Sequence, residues 1–156
     1  KKITEFMSRL FKAVKKANSK AIISVSPNPQ EFSYNSYLLD WEKWERMGYI
    51  EELVLQLYRS DLDVFIKELE QPEVIAANKH IPVAIGILSG IKPRPVSIEQ
   101  IKNQVKTVRK HDFSGVSFFF YESLWNLTDE SPRKRINAFK YMFPIRVKRP
   151  TIDNFS

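Results

Sequence analysis

The feature that most constrains this chain is a fourfold alternation. Four short apolar runs, at residues 21–25, 52–58, 82–88 and 115–121, begin about 30 residues apart, the usual length of one βα unit. Short runs rich in Val, Ile, Leu and Phe read as buried strands. The stretches between them place apolar residues at i, i+3 and i+4, the spacing of amphipathic helices. Strands alternating with helices imply an α/β chain with a parallel sheet and right-handed crossovers.

The helix signals are specific enough to place. Ile3, Phe6, Met7, Leu10, Phe11 and Val14 form one stripe ahead of any strand. A second helix is expected over residues 37–47, with Leu38, Trp41 and Trp44 on one side and Gly48 at a left-handed C-terminal cap. A third follows a cap at Asp61 or Asp63 and buries Leu62, Phe65, Ile66 and Leu69. Pro72 either interrupts it or starts another helix, with Val74 and Ile75 inward. Ser97 and Gln100 have capping-box spacing before Ile98, Ile101, Val105 and Val108. Ser131 and Pro132 suit the cap and first position of a last helix that turns Ile136, Phe139 and Met142 or Phe143 inward. The order is α-βα-βα-βα-βα over residues 1–144, followed by an extended basic tail at 145–156.

Two architectures fit this order. One is an open sheet with helices on both faces. The other is the second half of a (β/α)8 barrel, since four units are half of the roughly 250 residues such a barrel takes. The leading helix favours the barrel half, because the chain then reads as a βα series joined in its middle.

Composition removes several chemistries. There is no cysteine, hence no disulfide, thiolate nucleophile or cysteine-held metal. With 4 glycines, and Gly86 and Gly90 outside any phosphate-binding pattern, dinucleotide and P-loop readings are poor. The net charge of +7 raises nucleic acid as a partner. Its cations gather at Lys12, Lys15, Lys16 and Lys20, at Arg133, Lys134 and Arg135, and at Arg146, Lys148 and Arg149. Such runs read more simply as solvated helix faces and a tail, so nucleic acid is the least favoured partner. No apolar stretch approaches the roughly 20 residues of a membrane span.

Ligands of parallel α/β folds meet the carboxyl ends of the strands. Asn28 follows the first strand and either faces a ligand or closes a Pro-Asn-Pro turn. A polar, aromatic loop is expected at residues 30–35. Gln56 and Tyr58 share parity with Val54, against Leu53, Leu55 and Leu57. They are therefore expected to line a pocket, or to make a structural hydrogen bond. Lys92 and Arg94 lie in a loop after the third strand. Tyr121, Glu122, Trp125 and Asn126 follow the fourth. A carboxylate among aromatics suits sugar chemistry: ring faces stack on pyranoses, and an apolar setting raises a carboxyl pKa towards that of a general acid. The plainer alternative is a glutamate bonded to a nearby loop or helix end.

Glycoside hydrolysis uses a second carboxylate across the bond, and none is apparent. Glu51 and Glu52 begin a strand, Asp61 and Asp63 read as caps, and Asp40 falls inside the expected second helix. His80 and His111 each sit between a helix and the next strand, the stability side of such folds. No metal site, catalytic triad or cofactor is expected.

Four segments carry a family resemblance: Ser24-Val25-Ser26-Pro27; Asp40-Trp41-Glu42-Lys43-Trp44 with the Gly48-to-Tyr58 run; Ile81-Pro82-Val83-Ala84-Ile85-Gly86-Ile87; and Gly115-Val116-Ser117-Phe118-Phe119-Phe120-Tyr121-Glu122. Over roughly residues 20–145 the chain resembles the second half of bacterial glycosyl-hydrolase-like family 10 proteins. The resemblance implies strands five to eight of a glycan-cleaving barrel, with a bacterial polysaccharide, such as cell-wall glycan, as substrate. It further implies a second set of acidic residues on a preceding half, and it leaves the compartment open, export to the cell envelope being one option. On that reading the chain binds glycan through Asn28, Gln56, Tyr58, Tyr121, Trp125 and Asn126, and Glu122 is the candidate catalytic group. By itself it is inactive, and its open strand edges favour self-association. A non-catalytic carbohydrate-binding domain is the alternative.

Overall fold

The computed structural model describes residues 2–150. Helix α1 (Lys2–Ala17) precedes strand β1 (Ser24–Val25). Helices α2 (Gln30–Tyr37) and α3 (Trp41–Arg46) lead to β2 (Glu52–Gln56). Helices α4 (Leu62–Leu69) and α5 (Pro72–Asn78) lead to β3 (Val83–Leu88). A small antiparallel hairpin of β4 (Gly90–Ile91) and β5 (Arg94–Pro95) precedes α6 (Ile98–Lys110) and β6 (Gly115–Phe119). Helices α7 (Tyr121–Trp125) and α8 (Pro132–Met142) complete the described elements.

The main sheet is parallel, with order β1-β2-β3-β6. The order never reverses, so there is no switch point at which helices change sides. Burial agrees. Leu53, Leu55, Leu57, Val83, Ile85 and Ile87 are fully buried beneath helices. Their neighbours of opposite parity are not: Val54, Gln56, Tyr58, Ala84 and Leu88 are half-buried, and Ser24, Ser117 and Phe119 are exposed. Only Gly86 on that side is buried. The sheet is therefore covered on one face, which excludes the open sheet sandwiched between helices.

The register adds a second sign of curvature. Ser24 lies opposite Glu52, Leu53 opposite Val83, and Ala84 opposite Gly115. A line drawn across the strands from Ser24 thus meets Glu52, then Pro82 just before β3, then Phe113 two residues before β6. Along that line the strand starts are level from β1 to β2 and then shift by one residue at β3 and one more at β6, a stagger in one direction of the kind a tilted barrel sheet requires. The α/β fold is compatible with part of such a barrel.

Local chemistry explains the helix ends. Asp61 accepts from the Val64 N–H at 2.8 Å, Ser97 from Gln100 at 3.1 Å and Ser131 from Lys134 at 3.3 Å, each satisfying an orphan donor. Pro72 and Pro132 occupy first turns. Gly48 closes α3 at φ +67°, where a residue with a Cβ is strained.

Several expectations need correction. The helix expected over 37–47 is shorter, because α2 ends at Tyr37 and α3 spans Trp41–Arg46. Leu38 caps α2 in the left-handed region and is 64% exposed rather than inward, and Asp40 caps α3 by accepting from Lys43. Residues 30–35, expected as a loop, belong to α2. Its sequence QEFSYNSY has no apolar stripe, and only Ser33 is buried, so no period was there to read. The loop after β3 contains the β4–β5 hairpin, and residues 121–125 are helical. Phe6, Leu62, Ile75 and Ile136 are exposed, and Ala77 fills the inward place given to Ile75.

Arg135 departs furthest from expectation. It is 0% exposed, not part of a solvated run. Its guanidinium donates to the carbonyls of Leu124 and Val96 and to Glu130 Oε2, and Glu130 Oε1 accepts from the Ile98 N–H at 2.8 Å. This tie fastens α7 and α8 to the start of α6. Burial raises the Glu130 pKa, but the Ile98 and Arg135 hydrogen bonds and the charges of Arg135 and Lys134 outweigh it and leave it lowered.

Candidate functional site

The carboxyl ends of β1, β2, β3 and β6 lie on one edge because the strands are parallel. Gln56 ends β2 and Glu122 lies in α7 directly after β6, so both belong to this rim.

On the uncovered face the central feature is a pair of rings. Tyr58 and Phe119 stack with centroids 5.5 Å apart and planes 25° from parallel. Gly86 gives them room: a Cβ there would meet the Leu55 carbonyl oxygen at 3.2 Å and Tyr58 Cε1 at 3.5 Å. Phe119 remains 48% exposed, and Phe120 packs beside it at 5.3 Å. Partial burial pushes the Tyr58 phenol above its ordinary pKa, so it stays a protonated donor at neutral pH.

Gln56 lies next to this platform. Its amide nitrogen donates to the Ser26 carbonyl at 2.6 Å and reaches Ser26 Oγ at 3.3 Å. The structural hydrogen bond expected as one alternative therefore exists, and Gln56 still sits on the open face. Asn28 is half-buried. Its carbonyl accepts from Ser33 Oγ at 2.8 Å and Trp41 Nε1 at 3.1 Å, which fixes the turn after β1.

The α7 group is split. Tyr121 is 77% exposed and Glu122 is exposed at the first turn of α7. The Glu122 carboxylate accepts no hydrogen bond among the described residues, and the apolar enclosure expected around it is not formed. Trp125 is half-buried and meets Phe139 edge-on at 5.3 Å, within a cluster that includes Phe118 and Phe143. Asn126 caps α7, its N–H donating to the Glu122 carbonyl. Tyr121 and Glu122 are thus open to solvent, whereas Trp125 packs towards α8 and meets the Tyr121 ring edge-on at 6.4 Å.

A buried serine pair holds this rim together. The Ser89 N–H donates to the Phe119 carbonyl at 2.7 Å, Ser89 Oγ to the Phe120 carbonyl at 3.0 Å, and Ser89 Oγ lies 2.6 Å from Ser123 Oγ. Both serines are fully buried. They tie the end of β3 to the start of α7, and nothing in their spacing foretold it. Phe119 was not singled out in the sequence, because its place on the side of Gln56 and Tyr58 follows from the register that sets Gly86 opposite Gln56 and Ser117, and Leu88 opposite Phe119. Lys92 and Arg94 are exposed on the hairpin.

The other edge of the sheet is structural. Glu51 accepts from Lys15 at 2.6 Å and from the Ile23 N–H at 3.0 Å. His80 meets Glu45 at 3.0 Å, and His111 contacts the Thr107 carbonyl at 2.9 Å. Among the described residues no three His, Cys, Asp or Glu side chains gather as metal ligands, and no helix is long and apolar enough to cross a membrane.

A parallel sheet wound in one direction, helix-covered on one side and carrying polar and aromatic groups at its carboxyl rim, is the arrangement of the (β/α)-barrel class. Within that class, the chain belongs to the glycosyl hydrolase-like 10 family, whose model matches residues 1–109. The match contains Asn28, Gln56 and Tyr58 and ends before β6, so Phe119, Tyr121, Glu122, Trp125 and Asn126 lie beyond it. Comparisons with curated proteins and with solved structures gave no match.

Proposed function

We propose that this chain supplies the glycan-binding wall of a glycoside-hydrolase-like barrel that cleaves a polysaccharide. The observation that carries the reading is the Tyr58–Phe119 platform on the uncovered face. An exposed aromatic face offers an apolar plane to the C–H side of a sugar ring, and Gln56 and the Tyr58 hydroxyl offer polar contacts beside it. Family membership supports glycan as the ligand class.

Glu122 is the candidate acid or base, with Tyr121 beside it on the rim. Asn28 and Asn126 are candidate outer contacts, and Trp125 supports α7 from behind. Cleavage needs a partner carboxylate about 5–9.5 Å across the bond. None of these four strands presents one beside Glu122, so the chain alone binds and does not turn over.

The test is titration of the chain with soluble oligosaccharides of cell-wall and plant type, followed by intrinsic fluorescence and calorimetry. Saturable binding that Phe119→Ala or Tyr58→Ala weakens about tenfold, the loss of roughly 1.4 kcal/mol, supports the reading. Glu122→Gln should leave binding unchanged. No binding to any glycan, or binding indifferent to both aromatic substitutions, removes it.

A further inference from the structure

With 25 basic residues against 18 acidic ones, ion pairing leaves part of the positive charge unmatched. Helix α6 alone carries Lys102, Lys106, Arg109 and Lys110 against one acid, Glu99. Its apolar stripe of Ile98, Ile101, Val105 and Val108 is buried, and the helix packs on β3 and β6 with α8 alongside. Residues three and four apart share a helix face, so Glu99, Lys102, Asn103 and Lys106 form one ridge, which Arg109 continues. Between this ridge and α8 runs a groove of about 360 Å³, closed on the α8 side by Tyr141 and Met142. That volume falls within the roughly 300–1,000 Å³ of small-ligand sites. The groove lies on the helix-covered side of the sheet, away from the Tyr58–Phe119 platform.

Its polar groups are held differently. Lys102 pairs with Glu99 at 2.9 Å. Lys106 is exposed and has no acidic partner or hydrogen bond among the described residues. Arg109 is anchored: one nitrogen donates to the Met142 carbonyl at 2.7 Å, and the guanidinium lies 4.9 Å from the centre of the Phe143 ring. A guanidinium has several N–H donors in a fixed plane, so this clamp orients the group and leaves donors for another acceptor. Tyr141 lines the same groove and is 83% exposed.

We infer that this groove binds an acidic saccharide unit of the uronic acid type. Lys106 and Arg109 meet its carboxylate, Asn103 a hydroxyl, and Tyr141 the C–H side of the ring. Two features favour such a unit over a nucleic-acid strand. Glu99 interrupts the run of cations at one end, which suits a short anion and not a continuous phosphate backbone. Tyr141 is the one aromatic ring among the lining residues, whereas a single strand is held by stacking of successive bases. The choice of a sugar as ligand rests on the glycan reading, and the groove is a second site because the sheet separates it from the platform.

The test titrates the full 156-residue chain with an oligogalacturonate at low salt. It is repeated with the methyl-esterified form, which keeps the rings and removes the charges, and with a single-stranded oligonucleotide of equal charge. Oligogalacturonate should bind saturably, and esterification should weaken it at least about tenfold. Lys106→Ala and Tyr141→Ala should each weaken it about fivefold without moving the thermal midpoint, since both side chains are exposed. Phe119→Ala should leave it unchanged. No binding, binding indifferent to Lys106→Ala and Tyr141→Ala, or an oligonucleotide bound as tightly as the sugar overturns the inference. Binding that only Phe119→Ala weakens puts the acidic sugar on the platform: the second site is then lost and the glycan reading stands. Oligogalacturonate binding that persists when no neutral glycan binds keeps this site and removes the platform.

Discussion

The two faces of the sheet are built from the same strands, residue by residue in alternation, and they are chemically unlike. On the helix-covered face every central residue of β2 and β3 is aliphatic and sealed from water. On the other face Gln56, Tyr58, Ser117 and Phe119 keep hydrogen-bonding groups and ring planes within reach of a ligand. Each covered Leu, Ile or Val contributes about 1.5–3 kcal/mol through burial, so the core is held by one parity. The other parity contributes less to the core, because its side chains stay half-buried or exposed.

Substitutions test this division, and the largest effect belongs to the covered face. Leu55→Ala should cost about 2–5 kcal/mol in urea denaturation. Its neighbour Val54→Ala, on the open face, should cost about 1 kcal/mol or less. Equal losses would mean that both faces are core and would erase the contrast.

The next effect concerns the tie that keeps the last helices on the covered side. Glu130→Gln weakens charge-assisted bonds worth about 1.5–3 kcal/mol at neutral pH. Because the folded Glu130 pKa is lowered, its stabilisation is complete above the unfolded carboxyl value of about 4.3. It is lost as pH falls through the folded value. The unmodified chain should therefore destabilise on acidification below about pH 4.3 more steeply than Glu130→Gln. Parallel acid limbs would show that the tie contributes nothing.

On the open face the effects on stability are smaller, and the informative readouts are spectroscopic. Phe119→Ala removes a ring contact worth about 0.5–1.5 kcal/mol. By wetting Tyr58 it should bring the raised phenol pKa back towards its ordinary value in an ultraviolet titration. An unchanged titration would mean that Phe119 does not shield Tyr58. Gln56→Ala, which loses a half-exposed bond to the Ser26 carbonyl, should cost about 0.5–1 kcal/mol. A larger loss would place Gln56 with the core and not with the rim.

Much of the frame was legible in the chain itself. The strand positions, the Ser97 and Ser131 caps and the α6 stripe of Ile98, Ile101, Val105 and Val108 follow from local periods and capping chemistry. So does the parity that set Gln56 and Tyr58 apart. The structure chose Asp61 over Asp63 as cap and made Pro72 the start of a new helix. Helix α2 was hidden because its residues show no apolar rhythm. The burial of Arg135 was hidden because a basic triplet at a helix start looks the same whether water or carbonyl groups surround it.

The sequence determined the alternation of strand and helix and the two-residue rhythm within each strand, because both depend on neighbours a few positions away. Only the tertiary structure decided which rhythm faces the helices, that Tyr58 and Phe119 meet above Gly86, and that Ser89 reaches Ser123. Those contacts join segments 28 to 61 residues apart. They exist because the parallel order β1-β2-β3-β6 sets distant segments side by side in register.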